Sequence, residues 1–229
     1  MLPDEIAKLK DRLSAHLKDN DKALLKKVRS DRYYMVESDT IVRLLKLDRK
    51  VKLRFPLAFM DFETTGLSSM AKPIQLGVVV VDRDLTKKEF LKFIIKSIGL
   101  LDVLRPEFRQ AQTIHKLEIK TIMRGLRPID VTRHLDLLPG KYPGLLVAGQ
   151  NAGFDFRQLK KLYELAGQPC LFDYHLVDLT GLAAVHLGVK SLGEIAKALD
   201  LDTSRYTKHD ALSDAHLTAD CFIELMRRL

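Results

Sequence analysis

The sequence of 229 residues has no apolar run near the ~18 residues that a membrane-crossing helix needs. Its longest candidate, Leu76 to Val81, is short and reads as a buried strand. The N-terminus lacks an apolar signal core, and Asp4 and Glu5 come almost at once. That argues against a secretory or organelle-targeting peptide and leads us to expect a cytoplasmic protein. Cysteine is scarce. The two present, Cys170 and Cys221, make neither a disulfide framework nor a metal-spaced pair, so reduced thiols are expected. No internal repeat or low-complexity segment interrupts the chain. What is present suits one medium domain with an extension: 46% apolar residues, enough for a core, and 30% charged residues.

The net charge is +8 and the isoelectric point near 9.4, a balance that suits a polyanionic partner. The excess is uneven. Residues 1–55 hold 15 Lys and Arg against 9 Asp and Glu, whereas residues 56–229 hold 23 against 21.

Residues 1–55 read as helices. Leu2, Ile6, Leu9, Leu13 and Leu17 recur at helical spacing. Asp21 is placed to cap a second helix and Ser38 or Asp39 a third. Pro56 ends this texture and a mixed α/β pattern begins. Strands are expected at Leu57–Phe62, Ile74–Val81 and Phe90–Ser97. With no helix between them, they should form an antiparallel meander. Residues 106–138 read as helical pieces broken at Gly125 and Pro128. A fourth strand follows at Leu145–Ala148, then a helix from Phe154 to Ala166 ended by Gly167 and Pro169. A fifth strand at Leu171–Val177, helices at 179–187 and 191–199, and a last helix from about Asp210 complete the chain.

Three separated strings carry the chemistry: Asp61-Phe62-Glu63, Asn151-Ala152-Gly153-Phe154-Asp155, and His209-Asp210-Ala211-Leu212-Ser213-Asp214. Asp61 and Glu63 close the first strand and, two residues apart, point to the same side. Asp155 opens the helix after the fourth strand, and Asp214 lies in the first turns of the last helix. Four carboxylates and a histidine brought together in this way can hold two divalent cations and activate a water, a standard means of cleaving a phosphodiester. Asp61 and Glu63 also sit among apolar residues, where an uncompensated carboxylate is costly and a bound cation would offset the cost.

On these strings the chain resembles the DEDDh (DnaQ-like) 3'-5' exonuclease superfamily, the group of the proofreading epsilon subunit of bacterial DNA polymerase III, ribonuclease T and oligoribonuclease. Asp61-Phe62-Glu63-Thr64-Thr65-Gly66 resembles the first motif, and Ile74-Gln75-Leu76-Gly77 the second-strand signature after it. Asn151 to Asp155 resembles the second motif and His209 to Asp214 the third. The histidine five residues before the last Asp marks the histidine subclass. Helical geometry would not bring side chains five apart to one face, so His209 is expected in the loop before the helix. Two positions depart from the pattern. Gln150-Asn151 stands where many relatives have His-Asn, and Ile114-His115-Lys116-Leu117 where many have His-Gly-Ile.

The resemblance implies a ribonuclease-H-like α/β fold over residues 56–229, with a five-stranded mixed sheet flanked by helices and a helical extension at 1–55. It implies metal-dependent hydrolysis from a free 3' end of DNA or RNA, releasing nucleoside 5'-monophosphates. Two Mg²⁺ or Mn²⁺ ions would suit the oxygen donors. By resemblance Asp61 bridges both ions, Glu63 and Asp214 complete the site of the attacking water, Asp155 serves the other ion, and His209 is the general base. Thr64, Thr65, Gly66 and Leu67 would contact the terminal nucleotide, with Asn151 nearby and Phe154 stacking on a base. The family includes monomers and homodimers, and association with a polymerase is left open. The competing reading is a non-catalytic nucleic-acid-binding or polymerase-associated module. The extension is either a helical cap or a nucleic-acid clamp, in which Arg29, Arg32, Arg43, Lys46, Arg49, Lys50, Lys52 and Arg54 meet phosphates and Tyr33 or Tyr34 stacks.

Overall fold

The computed structural model describes residues 51–229. The helices expected within residues 1–50, with Tyr33, Tyr34 and the clamp cations from Arg29 to Lys50, lie outside the described residues. Residues 51–226 form one compact unit. Val51 and Leu53 pack on its core, and the Leu53 amide donates to the Arg83 carbonyl at 2.7 Å.

Strands β1 (Leu57–Thr64), β2 (Pro73–Val81) and β3 (Lys87–Ile94) form the antiparallel meander that their close succession requires. Strands β4 (Leu146–Gly149) and β5 (Leu176–Asp178) continue the sheet in parallel from the other side of β1. The order is therefore β3-β2-β1-β4-β5, the five-stranded mixed sheet expected. Every residue of β2 is buried, which is why its sequence reads as a continuous apolar run rather than an alternation.

The period of two divides β1 between two helical layers. Leu57 and Phe59 join Val79 and Val81 against Leu179 of α7 (Leu179–His186), Ile195 of α8 (Leu192–Ala198) and Phe222 of α9 (Ala211–Arg228). Ala58, Met60 and Phe62 face the opposite way. They pack on Val131 and Leu135 of α4 (Pro128–Leu135) and on Leu159 and Leu162 of α6 (Ala152–Ala166). The same alternation sends Asp61 and Glu63 toward the α9 side.

Several boundaries differ from the sequence reading. β3 begins at Lys87, three residues before the expected start, because an edge strand carries charge that masks its pattern. Ile95 makes only an isolated bridge to Leu126. β5 is three residues long. Before it the chain turns at Asp173, whose carboxylate accepts from the His175 amide at 2.8 Å. The helical pieces are separated before Pro128, as expected, and Pro128 itself occupies the first turn of α4, where its missing N–H costs nothing. The break at Gly125 has a packing cause, since a Cβ there would lie 2.5 Å from the Ile94 carbonyl oxygen. The remaining helices are α1 (Leu100–Val103), α2 (Pro106–His115), α3 (Ile119–Met123) and α5 (Leu137–Lys141). Among the described residues no helix is long and apolar enough to cross a membrane.

Candidate active site

Pairing between β1 and β4 ends at Phe59 and Ala148, so the last residues of β1 run on without a neighbour on that side. The Phe62 amide, left without a strand partner there, donates to Asp155 Oδ1 at 3.1 Å. Asp155 thus does locally what another strand would do, and its carboxylate is fixed against the end of β1. α6 is positioned in turn by Asp178. One oxygen of Asp178 accepts from the Ala152 amide at 2.8 Å, and the other accepts from the Gly181 amide at 3.2 Å. A single carboxylate therefore ties down the N-termini of α6 and α7. Asn151, just before α6, is exposed and adopts φ +64, a conformation that Asn tolerates better than most residues.

The third segment arrives through β2. Gln75 is buried, and its Oε1 accepts from the Ala211 amide at 2.9 Å. Gly77 faces the same turn of α9: a Cβ there would lie 2.2 Å from the Ala211 carbonyl oxygen and 2.3 Å from the Leu212 nitrogen. Only a residue without a side chain lets the helix approach the strand so closely. Asp210 caps α9, accepting from the Ser213 amide at 3.1 Å, and forms an ion pair with Lys92 of β3. His209 lies in the loop before the helix, as its spacing requires. It is exposed, has φ +59, and its amide donates to Asp214 Oδ2 at 2.8 Å.

These placements bring the five expected residues together. Glu63, His209 and Asp214 each offer a ligand atom within 4.8 Å of the others. Asp61 lies beside them, held well above the usual carboxylate range by burial and then by the charges of Asp155, Asp214, Glu63 and Asp210. Burial also raises Asp155, against the opposing hydrogen bond from Phe62. Burial, then Asp214 and Asp210, pushes Glu63 up to about 7. Asp214 is raised by burial, offset in part by the hydrogen bond from His209. The donor set fits divalent cations: hard oxygen atoms and one imidazole, with half-buried and buried carboxylates that repel one another when nothing positive lies among them.

The expected substrate contacts divide into two groups. Thr64 and Thr65 are buried, and their hydroxyls serve the loop. The Thr64 hydroxyl donates to the Gly66 carbonyl, and Thr65 Oγ1 accepts from the Lys72 amide at 2.9 Å. Gly66 has φ +152, and a Cβ there would come within 3.2 Å of the Glu107 Cβ on α2. The loop that follows carries Leu67 to the surface at 88% exposure, available to a ligand. Phe154 is half-buried, with the Arg157 guanidinium 5.7 Å from its ring centre. His115, at the departure from the His-Gly-Ile pattern, is buried. Its Nδ1 accepts from the Leu117 amide at 3.0 Å, which puts the ring proton of the neutral imidazole on Nε2, and Nε2 has no partner.

Sequence reading assigned no structural task to Asp178, Asp210 or Lys92. Asp178 and Asp210 carried a usable signal as Asp residues directly before helices. Lys92 carried none, because its partner is 118 residues away.

The family model for the RNase T exonucleases matches residues 58–222. The chain belongs to the exonuclease family. Asp61, Glu63, Asp155, His209 and Asp214 stand at the end of β1, in α6 and before and in α9, in the order that the resemblance leads one to expect. No curated protein matches the chain. Similar solved structures include Escherichia coli Exonuclease I in complex with a dA16 oligonucleotide, at 17% identity and a TM-score of 0.60 over 73% of this chain and 40% of that one. The nuclease domain of 3'hExo, a DEDDh family member bound to rAMP, aligns at 13% identity and a TM-score of 0.62 over 75% of this chain and 92% of that domain. Exonuclease I from Methylocaldum szegediense aligns at 19% identity and a TM-score of 0.59 over 74% and 40%. The chain thus spans about 40% of the length of the Exonuclease I proteins it matches. At these identities the likeness is one of fold.

Proposed function

We propose that this chain is a 3'-5' exonuclease that removes nucleoside 5'-monophosphates from single-stranded DNA or RNA, with the activity in the compact unit of residues 51–226 and the residues before it as an extension. The observation that carries this reading is the convergence of Asp61, Glu63, Asp155, Asp214 and His209 from three distant segments at the end of β1. The dA16 oligonucleotide in the Exonuclease I structure and the rAMP in the 3'hExo structure support a nucleic-acid substrate.

Asp61, Glu63, Asp155 and Asp214 would hold two Mg²⁺ or Mn²⁺ ions, which supply an activated water at neutral pH and positive charge at the scissile phosphate. His209 takes the proton of the attacking water. Its place on an exposed loop lets the ring approach that water, and imidazole is the side chain suited to passing protons near neutrality. The water oxygen bonds to phosphorus as the bond to the 3' oxygen of the preceding nucleotide breaks. That oxygen takes a proton from solvent and leaves as the new 3' hydroxyl. Asp155, fixed by the Phe62 amide, and Asp214, fixed by the His209 amide, keep the carboxylates in place as the charge moves. Leu67 and Phe154 provide apolar surface for a base.

A pair of labelled oligonucleotides tests the direction and the product. With Mn²⁺, a 5'-labelled strand should shorten in single-nucleotide steps, while a 3'-labelled strand should release its label at once as a mononucleotide. Endonucleolytic fragments, or no cleavage, would refute the reading. His209→Ala should lower the rate by about 10²–10⁴-fold, the usual worth of a positioned general base. A variant within a few-fold of the wild type would remove His209 from that role.

Metal and pH should act together on stability. The raised carboxyls bind protons in the metal-free fold that the unfolded chain has already lost. For Glu63 that window runs from the ordinary value of 4.5 to about 7. Without metal, stability should therefore fall as pH rises through this range. Bound cations replace the protons, so the melting temperature should rise on adding Mn²⁺, and by more at about pH 7 than at about pH 5. Thermal scans in EDTA and in Mn²⁺ at the two pH values check this, and a shift that is absent or larger at the lower pH would contradict the metal assignment.

A further inference from the structure

His209 sits in an exposed loop and in a conformation that the loop must be held to keep. Residues 202–205 and 207–209 are exposed, and the φ of +59 at His209 is costly for most residues that carry a side chain. Such a backbone persists where its surroundings enforce it. The nearest tie is the bond from the His209 amide to Asp214. That carboxylate belongs to the proposed cation site, where it would share its charge with the ions. A second anchor, independent of the metal ligands, lies three residues earlier in the loop.

Tyr206 is half-buried while every other residue from 202 to 209 is exposed. It packs, with Leu212, against the core between the sheet and α7, α8 and α9. Its hydroxyl donates to Asp220 Oδ2 in the middle of α9. Asp220 is 15% exposed and also receives Lys87, at the start of β3, at 2.8 Å. One carboxylate thus joins the loop and the edge strand to α9. Arg205 reaches the same carboxylate at 3.2 Å, but its side chain is 65% exposed and the pair is worth little. Burial and the bond to Asp220 push the Tyr206 hydroxyl up to about 12, so it remains protonated and keeps donating at neutral pH. Between Tyr206 and His209 the Thr207 amide donates to Ser213 Oγ at 2.7 Å. Ser213 and Asp220 are seven residues apart and share a face of α9, so the loop is laid along that face toward the site. Asp220 itself stands six residues from Asp214, roughly 9 Å along the helix axis, and outside the proposed cation site.

We propose that Tyr206 and Asp220 form a clasp that positions His209 beside the carboxylates, which makes Tyr206 a positioning residue of the reaction. The proposal rests on the exonuclease reading with His209 as its base. The clasp acts through three residues of backbone. Opening it leaves the imidazole in the enzyme but widens the range of places that the ring visits. A displacement of about 1 Å at reacting groups costs about 10²-fold in rate, so a loop freed at one of its several ties should lose about tenfold. The carboxylates and the apolar surfaces for a base come from other segments. The loss should therefore fall on kcat and leave KM in place.

Tyr206→Phe keeps the ring and deletes only the hydroxyl, and Asp220 retains Lys87, so the fold should persist. In steady-state assays with Mn²⁺ the variant should lose about tenfold in kcat at unchanged KM. In a His209→Ala background the same change should have no further effect, because the clasp then has no base to hold. Asp220→Asn still offers an oxygen to the Tyr206 hydroxyl and should retain more activity than Asp220→Ala. In EDTA, hydrogen exchange at the Thr207 and His209 amides should run about tenfold faster in Tyr206→Phe than in the wild type. A Tyr206→Phe enzyme within about twofold of the wild type, a loss carried by KM, or a loss that reappears in full on His209→Ala would overturn the proposal. So would equal activity of the two Asp220 variants, or unaltered exchange. A wild type that degrades strands while Tyr206→Phe matches it refutes only the clasp. A wild type that degrades nothing refutes the exonuclease reading, and exchange at the two amides then decides alone whether the clasp holds the loop.

Discussion

Asp61→Asn is expected to lower hydrolysis by roughly 10³-fold and, in the absence of divalent metal, to raise the melting temperature. The two effects have one cause. Asp61 is half-buried among Asp155, Asp214, Glu63 and Asp210, all of the same sign. Asparagine keeps its shape and removes its charge, so the metal-free fold loses a repulsion while the site loses a central cation ligand. The opposed readouts discriminate between roles. A carboxylate held for structural reasons, such as Asp178 with its two backbone donors, should lose stability when neutralised. Catalytic centres commonly oppose stability in this way. Rates in Mn²⁺ and thermal scans in EDTA measure both. An active Asp61→Asn, or one that melts well below the wild type without metal, would remove Asp61 from the centre of the site.

Gly77→Ala should be nearly as damaging to hydrolysis, although Gly77 offers no functional group. Its added methyl would meet the Ala211 carbonyl oxygen at 2.2 Å and the Leu212 nitrogen at 2.3 Å. Both are backbone atoms and neither can swing aside, so the first turn of α9 must lift. Overpacking of this kind costs about 1–3 kcal/mol. Lifting the turn also breaks the bond from the Ala211 amide to Gln75, which leaves a buried group unpaired at a cost of about 1–3 kcal/mol. A loss of about 2–6 kcal/mol is expected from the two together. The same turn carries Asp214 and anchors His209, and a displacement of about 1 Å at reacting groups costs about 10²-fold in rate. Gly193→Ala in α8 is the control, because nothing lies within 4 Å of its added carbon. Denaturant midpoints and kcat for the two variants decide the matter. A Gly77→Ala enzyme that matches the control on both would mean that the close approach of helix and strand does not hold in solution.

Much of this site could be read from the chain because its information is local. The apolar β1 and β2 sequences announce strands, and two-residue spacing puts Asp61 and Glu63 on one side. Five-residue spacing takes His209 off the helix that bears Asp214, and the structure places it in the preceding loop. What stayed hidden depends on contacts between distant segments. Ile74-Gln75-Leu76-Gly77 was recognisable as a signature, but its reason lies in α9, which begins 134 residues after Gly77. The pairing of Lys92 with Asp210 is of the same kind. β3 was misplaced because edge strands carry lysines and glutamates where buried strands carry valines. β5 was read too long because the apolar residues Leu171 and Phe172 precede a turn built on Asp173, and apolar character alone does not separate a packed turn from a strand.

The segments that meet at the end of β1 are far apart in the order in which a ribosome makes them. Translation delivers Asp61 and Glu63 early and Asp155 about two thirds of the way along, whereas His209 and Asp214 come last and gain their places only when α9 docks on β2. A nascent chain halted before residue 209 carries three of the carboxylates but neither His209, the proposed base, nor Asp214, the fourth proposed ligand. On the proposed reading the reaction therefore waits for the last helix: an unfinished polypeptide would hold an incomplete site.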